Sequence, residues 1–446
     1  MRPPHPLILS VFCLMSITSC GSSSSGTGIS AGPADDSRVT ARSEIFSLST
    51  PKPTPGLIGG DSVDFVYVAD IASPAGASTT AGVPVQATSL SMNAANQVAV
   101  VYNMAGPSVG GALEIIDFST PSKPSIKSTL IYKTEDFTDV ILGNGVAYVT
   151  GGDDINGALL KTFKIDSKGV ATETYSTTVQ GYMGVALALN GNILSVITGN
   201  NGGVYQYNVQ NPASPVALGT YSINDATDAF YFQSGLYVLG VNSQPGIFAL
   251  NTAGSGSFSL AAVFSSGLDA APARAVVDGN FVVTTASSNQ LGVYSQNHAG
   301  TFSSVGATAL QGDGNGLAAV NNAAFLAQGY VGLEWADLYG SMNPAPTWSN
   351  LPKGVTAPAN PSVSPVIRGV FEFVNDPGSA NQVLYAEINK KPWWLMADGE
   401  RGLRWFRQKL RKHLKASMTY SPAAEYDDER LVAMTESFKI PSTLDV

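Results

Sequence analysis

Short runs of β-branched, aromatic and aliphatic residues recur along most of this chain, bounded by Gly, Asn, Asp or Pro, and they come in pairs. Val146-Ala147-Tyr148-Val149-Thr150 is followed by Leu159-Leu160-Lys161-Thr162-Phe163, and Ile193-Leu194-Ser195-Val196 by Val204-Tyr205-Gln206-Tyr207. For nearly 300 residues no stretch carries the spacing of an amphipathic helix, so each run is expected as a strand and each pair as an antiparallel hairpin. Anchored on Val100, Tyr148, Leu194, Tyr237, Val282 and Phe325, the pairs repeat at intervals of 48, 46, 43, 45 and 43 residues. A fixed period of that size, filled only with strand signals, predicts an all-β fold built from β-propeller blades. Six units are clear. A seventh is suggested by residues 383–387 with 395–406, where the last piece copies the pattern of residues 327–335 after an enlarged spacer. The strand at residues 65–69 is then left over, free to complete the last blade and remove its open edge. Seven blades over residues 63–406 is the expectation, with six or eight as the alternatives.

The pattern changes at both ends. An apolar stretch at residues 7–17, too short to cross a bilayer as a helix, suits a secretory signal. It runs into Ile17-Thr18-Ser19-Cys20, which resembles the lipobox of bacterial lipoproteins. That resemblance implies removal of residues 1–19 as a signal peptide and lipidation of Cys20, hence a membrane anchor. Gly21 stands where Asp would retain such a protein in the inner membrane, which favours the outer membrane or cell surface. Residues 20–62, with a Gly/Ser tract and Pro51, Pro53 and Pro55, are expected as a flexible or extended tether. Because Cys13 leaves with the signal peptide and Cys20 is the anchor, the domain must be held by packing rather than by disulfides. At the other end, residues 407–446 open with a basic segment. Phe406, Leu410 and Leu414 at i, i+4 and i+8 predict a short helix docked by one apolar stripe, followed by an irregular tail.

Two turns carry a further resemblance. Leu113-Glu114-Ile115-Ile116-Asp117-Phe118-Ser119-Thr120-Pro121-Ser122-Lys123-Pro124 and Tyr207-Asn208-Val209-Gln210-Asn211-Pro212-Ala213-Ser214-Pro215 are similar to LVIVD-type repeats, in which a strand ends in Asp and enters a Pro-x-x-Pro turn. The Asx side chain caps the turn and the prolines preset it. The resemblance implies a propeller on a bacterial cell surface.

Composition narrows the partners. The chain has 446 residues, 44% hydrophobic, only 13% charged, with a formal net charge of −9. Between residues 169 and 352 the lone basic residue is Arg274, against eight acids, so this region is a poor surface for nucleic acid. The expected partners are the membrane, through the lipid anchor, and a protein or glycan, with the chain itself a monomer.

The search for chemistry is mostly negative. His298, in a loop, and His413 are the histidines of the mature chain, too few for a haem or zinc centre, and no Gly-rich phosphate loop opens a helix. No cofactor is expected, calcium being the one ion worth weighing: Asp154-Ile155-Asn156-Gly157 and Asp313-Gly314-Asn315-Gly316 each hold part of a calcium loop but equally make hairpin turns. Asp139 and Asp228 fall at similar offsets before their strands. With Asp313 and the pair Trp393 and Trp394, an anchor for a partner or a plug over the last blade, they make up the candidate binding face. The reading is a non-catalytic binding or scaffolding propeller in the cell envelope. The alternatives are a calcium-dependent propeller hydrolase, lactonase or lyase, and an outer-membrane assembly or adhesion component. Three or more carboxylates converging at the channel mouth would favour the enzyme.

Overall fold

The computed structural model describes residues 29–31, 36–42, 45–47, 63–75, 85–104, 109–153, 155–242, 244–252, 258–268, 272–278, 281–286, 289–296, 301–320, 323–338, 365–371 and 378–410. These residues form seven antiparallel sheets, each built on a four-stranded meander. The innermost strands of blades one to seven are Val85–Met92, Glu135–Gly143, Gly184–Asn190, Asp228–Phe232, Pro272–Asp278, Gly316–Val320 and Ala380–Ile388. Each packs beside the next and the seventh packs beside the first, which closes a seven-bladed propeller around a central channel. Blade seven takes three strands from the C-terminal part of the chain and its fourth, Val63–Ile71, from the N-terminal part. The strand left over in the sequence is thus the one that closes the ring, and it joins the two ends of the fold through main-chain pairing.

The strand pattern follows from burial on both faces. Second strands such as Gln97–Met104 and Val146–Asp153 are buried almost throughout because each blade is sandwiched between two neighbours, so they read as continuous apolar runs. Outer strands such as Ala171–Thr178 and Val216–Ser222 are largely solvated and correspondingly polar. The core is divided among the blade interfaces. Leu113 and Leu130 of blade one meet Phe137, Val149 and Phe163 of blade two, and Phe65, Phe325, Trp394 and Phe406 fill the space between blades six and seven.

The two proline turns have a definite mechanical role. The Asp117 carboxylate accepts the Ser119 N–H at 2.9 Å, and the Asn208 side chain accepts the Gln210 N–H at 2.9 Å, so the Asx cap forms in both. The turn then offers a carbonyl to the preceding blade. The Trp405 indole of blade seven donates to the Pro121 carbonyl of blade one at 2.9 Å, and the Thr162 hydroxyl of blade two donates to the Pro212 carbonyl of blade three at 2.6 Å. Trp405 and Thr162 lie two residues beyond Leu403 and Leu160, which hold equivalent register positions in their blades.

Two expectations are corrected. Parts of the segment read as a tether are docked: Ile29–Ala31 adds a fifth strand to blade one, while Val39–Ala41 and Ile45–Ser47 pair with Val63–Ile71 of blade seven. Between them Asp36 accepts the Ile126 N–H, Arg38 donates to the Ala72 carbonyl and pairs with Glu114, and Arg42 pairs with Asp70 at 2.9 Å. Main-chain edge pairing and ion pairs hold this segment, which is why it lacks an apolar period. At the C-terminal end, Leu403–Leu410 is a strand, so residues 406–410 do not begin a helix. Trp394 on one side and Tyr67 on the other pair with Phe406, satisfying its main chain across the sheet, and its ring is buried. Cys20, Asp154, His298 and the segment from residue 411 onward lie outside the described residues.

Candidate functional site: the central channel

One register position recurs in every blade, and in five of the seven its residue lines the central cavity. Ser89, Asp139, Ala186, Asp228, Arg274, Gly316 and Gln382 pair across the sheet with Val101, Thr150, Ile197, Leu239, Thr285, Ala327 and Ala397. Those second-strand residues in turn pair with an aliphatic residue on each third strand: Leu113, Leu160, Val204, Ile247, Leu291, Leu333 and Leu403. The seven positions therefore form one ring. It lies within the first five residues of each inner strand, beside the mouth where the chain enters the blades.

The residue before each ring position explains how the ring is held. In blades one, two, three, five and seven the inner strand carries a register shift at this point, turning an extra side chain sideways. Thr88 donates to the Phe137 carbonyl, Thr138 to Gly184, Thr227 to Pro272, Asn315 to Ala380 and Asn381 to Ala87, each reaching the following blade. The last of these closes the circle from blade seven to blade one.

Asp139 and Asp228 belong to the same system. The Asp139 carboxylate accepts the Ser89 hydroxyl of blade one at 2.6 Å and the Leu187 N–H of blade three at 2.8 Å. Asp228 accepts its neighbour's N–H from Ala229 at 2.9 Å and the Ala275 N–H of blade five at 2.8 Å. Both aspartates are latches between blades as well as lining residues of one cavity. Burial raises the pKa of both, and that of Asp228 is pushed up to about 6 despite the countering charge of Arg274 and the N–H bonds it accepts.

Arg274 supplies the opposing charge. Its Nη1 lies 3.8 Å from Asp228 Oδ1 and donates to the Val185 carbonyl of blade three at 3.4 Å, while Nε donates to Asn315 beside blade six at 3.2 Å. One side chain of blade five thus touches three other blades. Its isolation marks it in the sequence, since Arg274 is the lone basic residue in 184 positions, from 169 to 352. Ser89, Ser91 and Gln382, which also line the cavity of about 220 Å³, carried no such signal.

The other sequence candidates fall elsewhere. Asp313 is exposed in the connection between blades five and six. Trp393 and Trp394 are buried, at 7% and 1% exposure, so the expectation of an exposed aromatic anchor is corrected in favour of a core role. Trp394 packs on Phe325 with ring centroids 3.6 Å apart and on Tyr385 at 4.9 Å, because its strand is covered on both faces. Among the described residues no three His, Cys, Asp or Glu side chains converge as a metal set.

Around the channel mouth, the connections between blades and the hairpins joining second to third strands share one face. Ala158 N–H donates to the Gly181 carbonyl at 3.0 Å, tying the turn at residues 155–156 to the following connection. Ile155 and Tyr182 project from these two touching loops at 73% and 69% exposure, and Tyr330 from the blade-six hairpin at 81%.

No family model matches the sequence and no curated protein matches it. Among solved structures the chain is similar to a chain in the crystal structure of the mitotic checkpoint complex, at 11% identity over 72% of this chain and 90% of that one, with a TM-score of 0.51. That likeness shows the propeller fold alone.

Proposed function

We propose that this protein is a lipid-anchored component of the bacterial cell envelope whose propeller is a non-catalytic platform for a protein partner. The observation that carries the platform reading is the pair of large apolar side chains, Ile155 and Tyr182, held out by adjoining loops on the channel-mouth face. An aromatic and an aliphatic side chain on rigid, mutually bonded loops suit a buried interface core. The low charge of the chain fits association through apolar and hydrogen-bonding contact rather than steering. The envelope location rests on the lipobox resemblance around Cys20 and on the LVIVD-like turns. The channel supports the platform reading over calcium-dependent catalysis: among the described residues it offers two carboxylates, each occupied by N–H donors, with Arg274 beside Asp228.

Affinity capture from the native envelope, read by mass spectrometry, tests this. The wild-type protein is expected to retain a partner that the Ile155→Asp, Tyr182→Asp double variant loses while keeping the same melting temperature. Identical captures by the two proteins would remove the proposed face.

A further inference from the structure

We propose that the central channel is itself a binding site, for a small neutral polyol of about one sugar ring. The inference is independent of the protein partner. It rests on which groups in the channel remain unspent after the blade latches are made. Arg274 uses Nε and Nη1 on main-chain carbonyls, so its Nη2 donates to no described residue. The Gln382 amide lines the same cavity and bonds to no described side chain, offering one acceptor and two donors. Asp139 and Asp228 each accept two hydrogen bonds, and a carboxylate has about four acceptor sites. Ser91 accepts the Leu142 N–H and keeps its own hydroxyl proton to donate.

The result is one cavity that presents both donors and acceptors, from five of the seven blades. Vicinal hydroxyls, each both donor and acceptor, match such a lining. A cation drawn to the aspartates would sit against Arg274, and an anion drawn to Arg274 would sit against two carboxylates, whereas a neutral ligand meets no like charge. The size agrees. A cavity of about 220 Å³ lies below the roughly 300–1,000 Å³ of sites for drug-sized ligands, which suits a ligand of a single ring.

Calorimetric titration of the full-length protein with D-glucose, myo-inositol, choline and inorganic phosphate tests the assignment. Saturable binding of at least one polyol, tighter than choline or phosphate, is expected. Gln382→Leu is expected to weaken it about tenfold, the worth of one hydrogen bond, with the melting temperature unchanged. Arg274→Lys, which keeps the charge and loses Nη2, is expected to weaken it similarly. Tighter binding of choline or phosphate, no polyol binding at millimolar concentration, or unchanged affinity in both variants would overturn the proposal. None of these results bears on partner capture through Ile155 and Tyr182.

Discussion

Asp139 and Asp228 each hold two backbone or hydroxyl donors in place, and at least one of these donors belongs to a neighbouring blade. Burial penalises the charged form of Asp228 and the nearby Asp139 carboxylate adds to this, while Arg274 and the two N–H bonds offset it only in part, which leaves the proton on Asp228 held more tightly in the folded chain than in the unfolded one. A raised folded pKa has a fixed sign in linkage: the contribution to stability is full below about 3.8 and is lost as pH rises through about 6. The loss is about 3 kcal/mol at most. Urea unfolding of wild type and Asp228→Asn at several pH values should show a smaller fall for the variant as pH rises over that window. Equal slopes would mean that Asp228 is ionised at little cost and that the channel is more polar than its geometry implies.

At the scale of elements, strand pairs were readable because blades buried on both faces demand continuous apolar runs with Gly and Asn between them, as in Asn144-Gly145, where both residues take positive φ. The docked strands at Ile29–Ala31, Val39–Ala41 and Ile45–Ser47 were not readable, because three-residue edge strands bond through the main chain and carry no period. The misread helix has a similar cause. Phe406 and Leu410 are four residues apart, an even number, so the spacing that fits one helix face also fits one strand face. Arg38 is the side chain that fastens the N-terminal segment: it reaches Glu114, which is fully buried and also accepts the Tyr102 and Thr129 hydroxyls. Arg38→Met leaves that carboxylate without its cation and is expected to cost about 3 kcal/mol in a chemical denaturation measurement. Adding Glu114→Gln should restore part of it. A loss below about 0.5 kcal/mol would place the pair among ordinary surface bridges.

For the whole molecule, the repeat determined the architecture and with it the channel, because seven equivalent strands must bring seven equivalent residues to one ring. The candidate aspartates could be found from their repeated offset, and Arg274 from its isolation. Their convergence could not, since it depends on register and on which blades face each other across the ring. Trp393 and Trp394 were misjudged for the same reason: adjacent lysines suggest exposure locally, while the covering strands come from distant sequence. The channel carboxylates are latches balanced in part by Arg274, and the proposed partner surface lies on the loops. Thermal unfolding in millimolar calcium against chelator tests this most directly, because an ion bound to the native state raises its melting temperature by mass action. Coincident unfolding curves are expected. A rise of several degrees with calcium, abolished by Asp139→Asn or Asp228→Asn, would contradict it and return the channel to the catalytic alternative.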